Sequence, residues 1–153
     1  MAVYADLGAW ALATLQATPA VTAQVMSLDE TVQIFEAGDV TASALAEAQE
    51  ARRASGQTTR VLSIVVQDLG EEDFTARCAV FVYDRYGYAN IRTAREAIIA
   101  ALVNQPALLV REAMVNAVQY DGRSGHAIDT EFDLDIERIN FSGALIVERD
   151  CYA

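Results

Sequence analysis

The 153-residue chain contains no lysine; all 11 basic residues are arginines, set against 22 acids, for a formal net charge of −11. Gripping nucleic acid takes basic surface that replaces phosphate counterions, so a chain this acidic is a poor candidate for it. Histidine occurs once, at His126, in or just after a glycine-containing turn. No serine or cysteine stands in a motif that would pair it with a base, and the reading for His126 is an exposed turn residue. The two cysteines, Cys78 and Cys151, read as a buried core residue and an incidental terminal thiol rather than a disulfide or metal pair. There is no zinc spacing, phosphate-cradling glycine loop or dinucleotide fingerprint. The longest apolar runs, such as Val61–Val66 and Ala97–Val103, fall well short of the ~20 residues a membrane span needs. The first charge is Asp6, so the start lacks the basic segment of a signal peptide, and cytoplasm-like conditions are expected. These absences leave an enzyme without specific support. No cofactor, metal or membrane partner is expected.

What is present is a compact, apolar composition, 53% hydrophobic with 22% charged residues, consistent with one domain over 1–153. The organising stretch is Thr75–Val103. Thr75–Arg85 alternates with period two and carries apolar residues on both faces, which predicts a central strand covered on both sides. A break at Gly87 precedes a helix from about Ile91, with Asn90 as N-cap. Its apolar stripe is Ile91, Ala94, Ile98, Ala101 and Leu102, with Arg92, Arg95 and Glu96 placed elsewhere, and Pro106 ends it. A first amphipathic helix is predicted over Val3–Ala17, closed by Pro19. A small hairpin joins Val21–Met26 to Thr31–Phe35.

Further strands are predicted at Arg60–Asp68, Met114–Tyr120 and Asn140–Val147, with a hairpin connection at Leu69–Asp73 and a turn at Asp121–Gly125. Leu108–Val110 is a short apolar piece. The expected class is α+β: a mainly antiparallel sheet of about four to five strands against two helices, with an extra helical or extended arm.

Two segments stand out. Thr41–Arg53 is helix-prone but weakly apolar, so 40–57 reads as an insertion or arm needing a partner surface, with Leu45, Glu50, Arg52 and Arg53 as candidate inter-subunit contacts. Ile128–Glu137 alternates without a break and predicts one strand. Asp129, Glu131, Asp133, Asp135 and Glu137 then form an acidic row on one face, a candidate lumen or interface surface; the alternative is an ordinary solvated face. Strand spacing spreads these ligands along a line rather than wrapping them round an ion, so a dedicated metal site is not expected. Asp68 and Asp84, at strand ends, read as turn formers rather than catalytic acids.

In element order the chain resembles the tail-terminator (tail-completion) proteins of long-tailed bacteriophages, the lambda-type minor tail protein family. The residues carrying the resemblance are Ala79-Val-Phe-Val-Tyr-Asp-Arg85 leading to Ala94-Arg-Glu-Ala-Ile-Ile-Ala-Ala-Leu102, the turn Asp121–Gly125, the closing strand Phe141–Val147, and the N-terminal helix ending in Leu15-Gln-Ala-Thr-Pro-Ala-Val21. It covers roughly Thr59–Val147 plus that helix; Thr41–Ser55 departs from the pattern. The resemblance implies a virion protein, made in the host cytoplasm, that forms a homo-oligomeric ring, a hexamer, on the finished tail tube. That ring stops polymerisation and meets a head–tail connector or stopper protein, while DNA passes through unbound. The alternatives are another head–tail connector or neck ring protein, the same role in a domesticated prophage particle, or a small acidic ligand-binding domain or hydrolase using His126 and the acidic row.

Overall fold

A computed structural model describes residues 2–85 and 88–147; Cys151 lies outside these residues. Ten strands and four helices follow one another among the described residues. These are β1 (Val3–Tyr4), α1 (Leu7–Ala17), α2 (Pro19–Thr22), β2 (Ser27–Leu28), β3 (Thr31–Val32), β4 (Ile34–Glu36), α3 (Ala42–Ser55), β5 (Ser63–Glu72), β6 (Thr75–Asp84), α4 (Tyr88–Val103), β7 (Leu108–Val110), β8 (Ala113–Arg123), β9 (Ala127–Asp129) and β10 (Leu134–Val147).

Eight strands form one sheet in the order β1-β7-β8-β10-β6-β5-β4, with β9 also on β10; β2 and β3 form a separate hairpin. The class is α+β, but the sheet is larger than four to five strands and is mixed. The pairs β1–β7 and β4–β5 are parallel and the rest antiparallel. The extra strands are two- and three-residue pieces at the sheet edges, too short to leave a period in the sequence.

The predicted central strand is central. β6 lies between β5 and β10 and is covered on both faces. Ala76, Cys78, Val80 and Val82 join the main core with Leu7, Trp10 and Leu15 of α1 and Ile91, Ala94, Ile98 and Leu102 of α4. On the opposite face Val65, Tyr83 and Leu134 pack with Leu45 and Ala48 of α3 and with Met26. Burying a residue of Leu or Ile size is worth about 1.5–3 kcal/mol, so both faces contribute to stability.

Several boundaries move for local reasons. Val3–Tyr4 is a strand, because Asp6 caps α1 by accepting from Ala9 N at 2.7 Å; Val3 is exposed rather than on the helix stripe. Pro19 opens α2 instead of only closing α1, since a first-turn proline loses no helical hydrogen bond. The early hairpin is tighter than expected, turning on Asp29 and Glu30, both at positive φ. Helix α4 starts at Tyr88, so Asn90 lies inside it and donates to Thr58 O and Asp84 Oδ2 instead of capping.

The largest correction concerns Ile128–Glu137, which is not one strand. Residues 113–129 run along one edge of β10 as β8 and then β9, and the chain reverses at 130–133. Asp129 Oδ1 accepts from Glu131 N (2.9 Å) and Phe132 N (3.0 Å), and Asp133 takes φ 54°, which closes the turn. The glycines of Asp121–Gly125 do not reverse the chain; they sit at φ 108° and 77° beside a register shift opposite Ile139–Phe141. Similarly, β5 continues past Leu69 through an irregularity at Gly70 and turns only at Asp73–Phe74.

Candidate functional site

Folding back at 130–133 breaks the acidic row into four environments. Asp129 is held by its own turn; Glu131 and Asp133 are exposed at the hairpin tip, Asp133 with Arg85 at 3.7 Å. Asp135 meets His126 Nε2 at 2.8 Å. Glu137 is fully buried. The parity of β10 explains the last two, because Asp135 and Glu137 share a face with Ile139 and Phe141 and therefore point toward α4.

Glu137 is the centre of a closed network. Arg95 Nη1 on α4 donates to Oε1 at 2.6 Å, and Tyr88 Oη donates to Oε2 at 2.7 Å. Arg123 Nη1 on β8 reaches Tyr88 Oη at 3.1 Å and Glu137 Oε2 at 3.4 Å. The Tyr88 ring lies 4.5 Å from that of His126, which ties the turn histidine to the same cluster. Burial alone would lower the Arg95 pKa, but the bond and charge of Glu137 outweigh it and raise it. Spacing in the sequence carried a signal for this pair that the reading missed. Arg95 falls four residues after Ile91 and three before Ile98, within the stripe rather than elsewhere.

A second buried carboxylate lies at the end of β6. Asp84 accepts from Arg52 of α3, from Arg85 N at 2.6 Å and from Asn90 Nδ2 at 3.3 Å. Burial pushes its pKa up, and these donors oppose the shift. Asp68 bonds Gly8 N and Gly70 N, both at 3.0 Å, and joins α1 to β5. Both acids act as joints between elements. The arm residues divide as well: Leu45 is 4% exposed against the chain's own sheet and Arg52 sits on Asp84, whereas Glu50 and Arg53 pair at 3.3 Å on the outer surface.

No protein-family model matches the chain, and no curated protein matches it. A match is found among solved structures, to a chain of the "Virion of native gene transfer agent (GTA) particle". The TM-score is 0.62 at 13% identity, covering 92% of this chain and 94% of that one. The two chains share a fold. The likeness spans nearly the whole of both chains.

The buried carboxylates are satisfied by arginine, tyrosine and backbone donors, and such groups rigidify the elements they join. Among the described residues no three side chains of metal-ligating type are gathered together, and no helix is long and apolar enough to cross a membrane. Cys78 lies in the core, where burial pushes its thiol up to about 12, far from the range of a nucleophile at neutral pH.

Proposed function

We propose that the chain is a structural subunit of a phage-like virion, and that it forms a ring, a hexamer, which caps the tail tube, ends its polymerisation and joins the tail to the head connector. The observation carrying this reading is the near full-length fold match to a chain of a gene transfer agent virion. The element order that resembles tail terminators supports the tail position, and the role asks for no reaction chemistry.

In this reading the exposed tip acids Glu131 and Asp133, with Asp129 beside them, face the lumen, where negative charge keeps passing DNA from sticking. Asp135 and Glu137 act instead inside the subunit, through His126 and Arg95. The outer face of α3, with Glu50 and Arg53, is the surface offered to a neighbouring subunit. Leu45 and Arg52 hold α3 in place for that contact.

Light scattering of the chain alone and with tail-tube protein tests the proposal. A ring-sized oligomer, or a monomer that binds tube ends and stops growth, supports it. A monomer indifferent to tubes overturns it. A ring that binds a head connector but leaves tube growth unchanged assigns the chain to the neck instead.

A further inference from the structure

Helix α3 covers one end of its face of the sheet, where Leu45 and Ala48 meet Val65, Tyr83 and Leu134. Farther along, the same face is open. Gln67, Arg77 and Gln119 are exposed there, and Leu69 and Ile146 are 40% and 43% exposed. Leu69, Arg77, Asp121, Arg138 and Asn140 line a shallow cleft on it.

Two opposite charges in that cleft do not meet. Arg138 of β10 donates from Nε to Asn140 Oδ1 at 2.8 Å, and its guanidinium lies 5.7 Å from the centre of the Phe81 ring. These contacts hold it against the sheet, but among the described residues it pairs with no carboxylate. Asp121, exposed on the neighbouring strand β8, makes no ion pair either. Seven other arginines pair with carboxylates of the chain, and Arg60 donates to Val25 O. Arg92 stands on α4, across the sheet, and Arg149 lies outside the described residues.

An arginine and an aspartate that share one open face, each without a counter-charge, suit a two-fold axis. In such a contact the first residue of one copy meets the second of the other, and the reverse. The local charge also permits it. A chain at −11 repels its own copies in general, but here Arg77 is offset by Glu72, and Arg138 and Asp121 balance in number.

We infer that this open part of the sheet binds a second copy of the chain about a two-fold axis, Arg138 of each copy taking Asp121 of the other. Leu69 and Ile146 supply apolar contact, and the planar guanidinium, already oriented by Asn140 and Phe81, is suited to a carboxylate. The contact is separate from the ring reading, because a two-fold contact closes at two copies whereas a ring needs heterologous ones.

The test is sedimentation equilibrium of the full chain without tube protein. The parent is expected to form dimers. Arg138→Glu or Asp121→Arg alone is expected to weaken dimerisation at least about tenfold, since each sets like charges together at both symmetric contacts. Mixing the two single variants, or combining both changes in one chain, is expected to restore dimers, because every contact then joins opposite charges again. Restoration in the mixture also shows that each single variant is folded. A dimer unchanged by Arg138→Glu, or no restoration in either the mixture or the double variant, overturns the inference. So does an oligomer larger than two that Arg138→Glu reduces to monomers, since the contact would then be heterologous. A parent that stays monomeric yet caps tube ends overturns this inference and leaves the ring reading standing; an Arg138-dependent dimer indifferent to tubes does the reverse.

Discussion

Arg95 of α4 and Glu137 of β10 meet at 2.6 Å under the helix, forty-two residues apart, with Glu137 fully buried and Arg95 nearly so. The pair, with Tyr88 and Arg123, joins the helix to the middle of the sheet. Removing one partner of a buried pair leaves an uncompensated charge and typically costs about 3–5 kcal/mol. Glu137→Leu is therefore expected to destabilise by that order in urea unfolding. The double variant Arg95→Met/Glu137→Leu should recover most of the loss. If the double variant is no better than the single one, the pair is not the source of the effect.

Gly8 of α1 lies against Asp68 of β5, so close that an added Cβ would fall 2.7 Å from the Asp68 Cβ and 2.9 Å from its backbone. Neither element yields without breaking the Gly8 N–Asp68 bond. Gly8→Ala is expected to cost about 1–3 kcal/mol, read as a lower urea midpoint. At Gly143 an added Cβ would meet Val115 Cγ1 at 2.4 Å and the Ala117 backbone oxygen at 3.3 Å, and Val115 is fully buried and stiff at χ1. Gly143→Ala is expected to cost a similar amount to Gly8→Ala.

Helix α3 belongs to its own chain's fold on one side and is free to meet another subunit on the other. Leu45→Ala is expected to destabilise the monomer by about 2–4 kcal/mol, because its side chain fills the second core. Glu50→Ala and Arg53→Ala remove a solvent-exposed pair and should change monomer stability by no more than about 0.5 kcal/mol. Under the ring proposal these two should instead reduce oligomer mass in light scattering. Unchanged mass counts against α3 as the contact.

Alkaline stability follows from two buried acids. Burial raises the Cys78 thiol from 9.0 to about 12, and burial, followed by the charges of Asp129 and Glu131, raises Tyr83 from 10.0 to about 12. In both cases the unfolded chain releases its proton first, so above pH 9 the unfolded state binds fewer protons and stability falls as pH rises. Each group takes away about 1.4 kcal/mol per pH unit within its window. Urea midpoints should decline from pH 9 toward 12, more steeply above 10. Tyr83→Phe should remove the steeper part.

The sequence by itself determined the elements whose period is long and local. The strand Thr75–Asp84, the apolar stripe of α4 and the burial of Cys78 all follow from side-chain spacing against solvent, whereas 41–53, helix-prone by propensity alone, fits a helix or an extended arm until packing makes it α3. The strong acidity and the lack of lysine are also properties of composition alone. Tertiary structure decided what depends on partners distant in the chain. The alternation over Ile128–Glu137 fits one strand and a hairpin equally well, because a turn closed by Asp129 side-chain bonds needs neither glycine nor proline. Arg95 falls within the apolar stripe of α4, but Glu137 looks solvated in the sequence, and only the pairing of β10 with β6 beneath α4 shows that each is the other's counter-charge. The two-residue edge strand β1 owes its existence to β7, over a hundred residues away, since so short a strand has no stability without the ladder it joins.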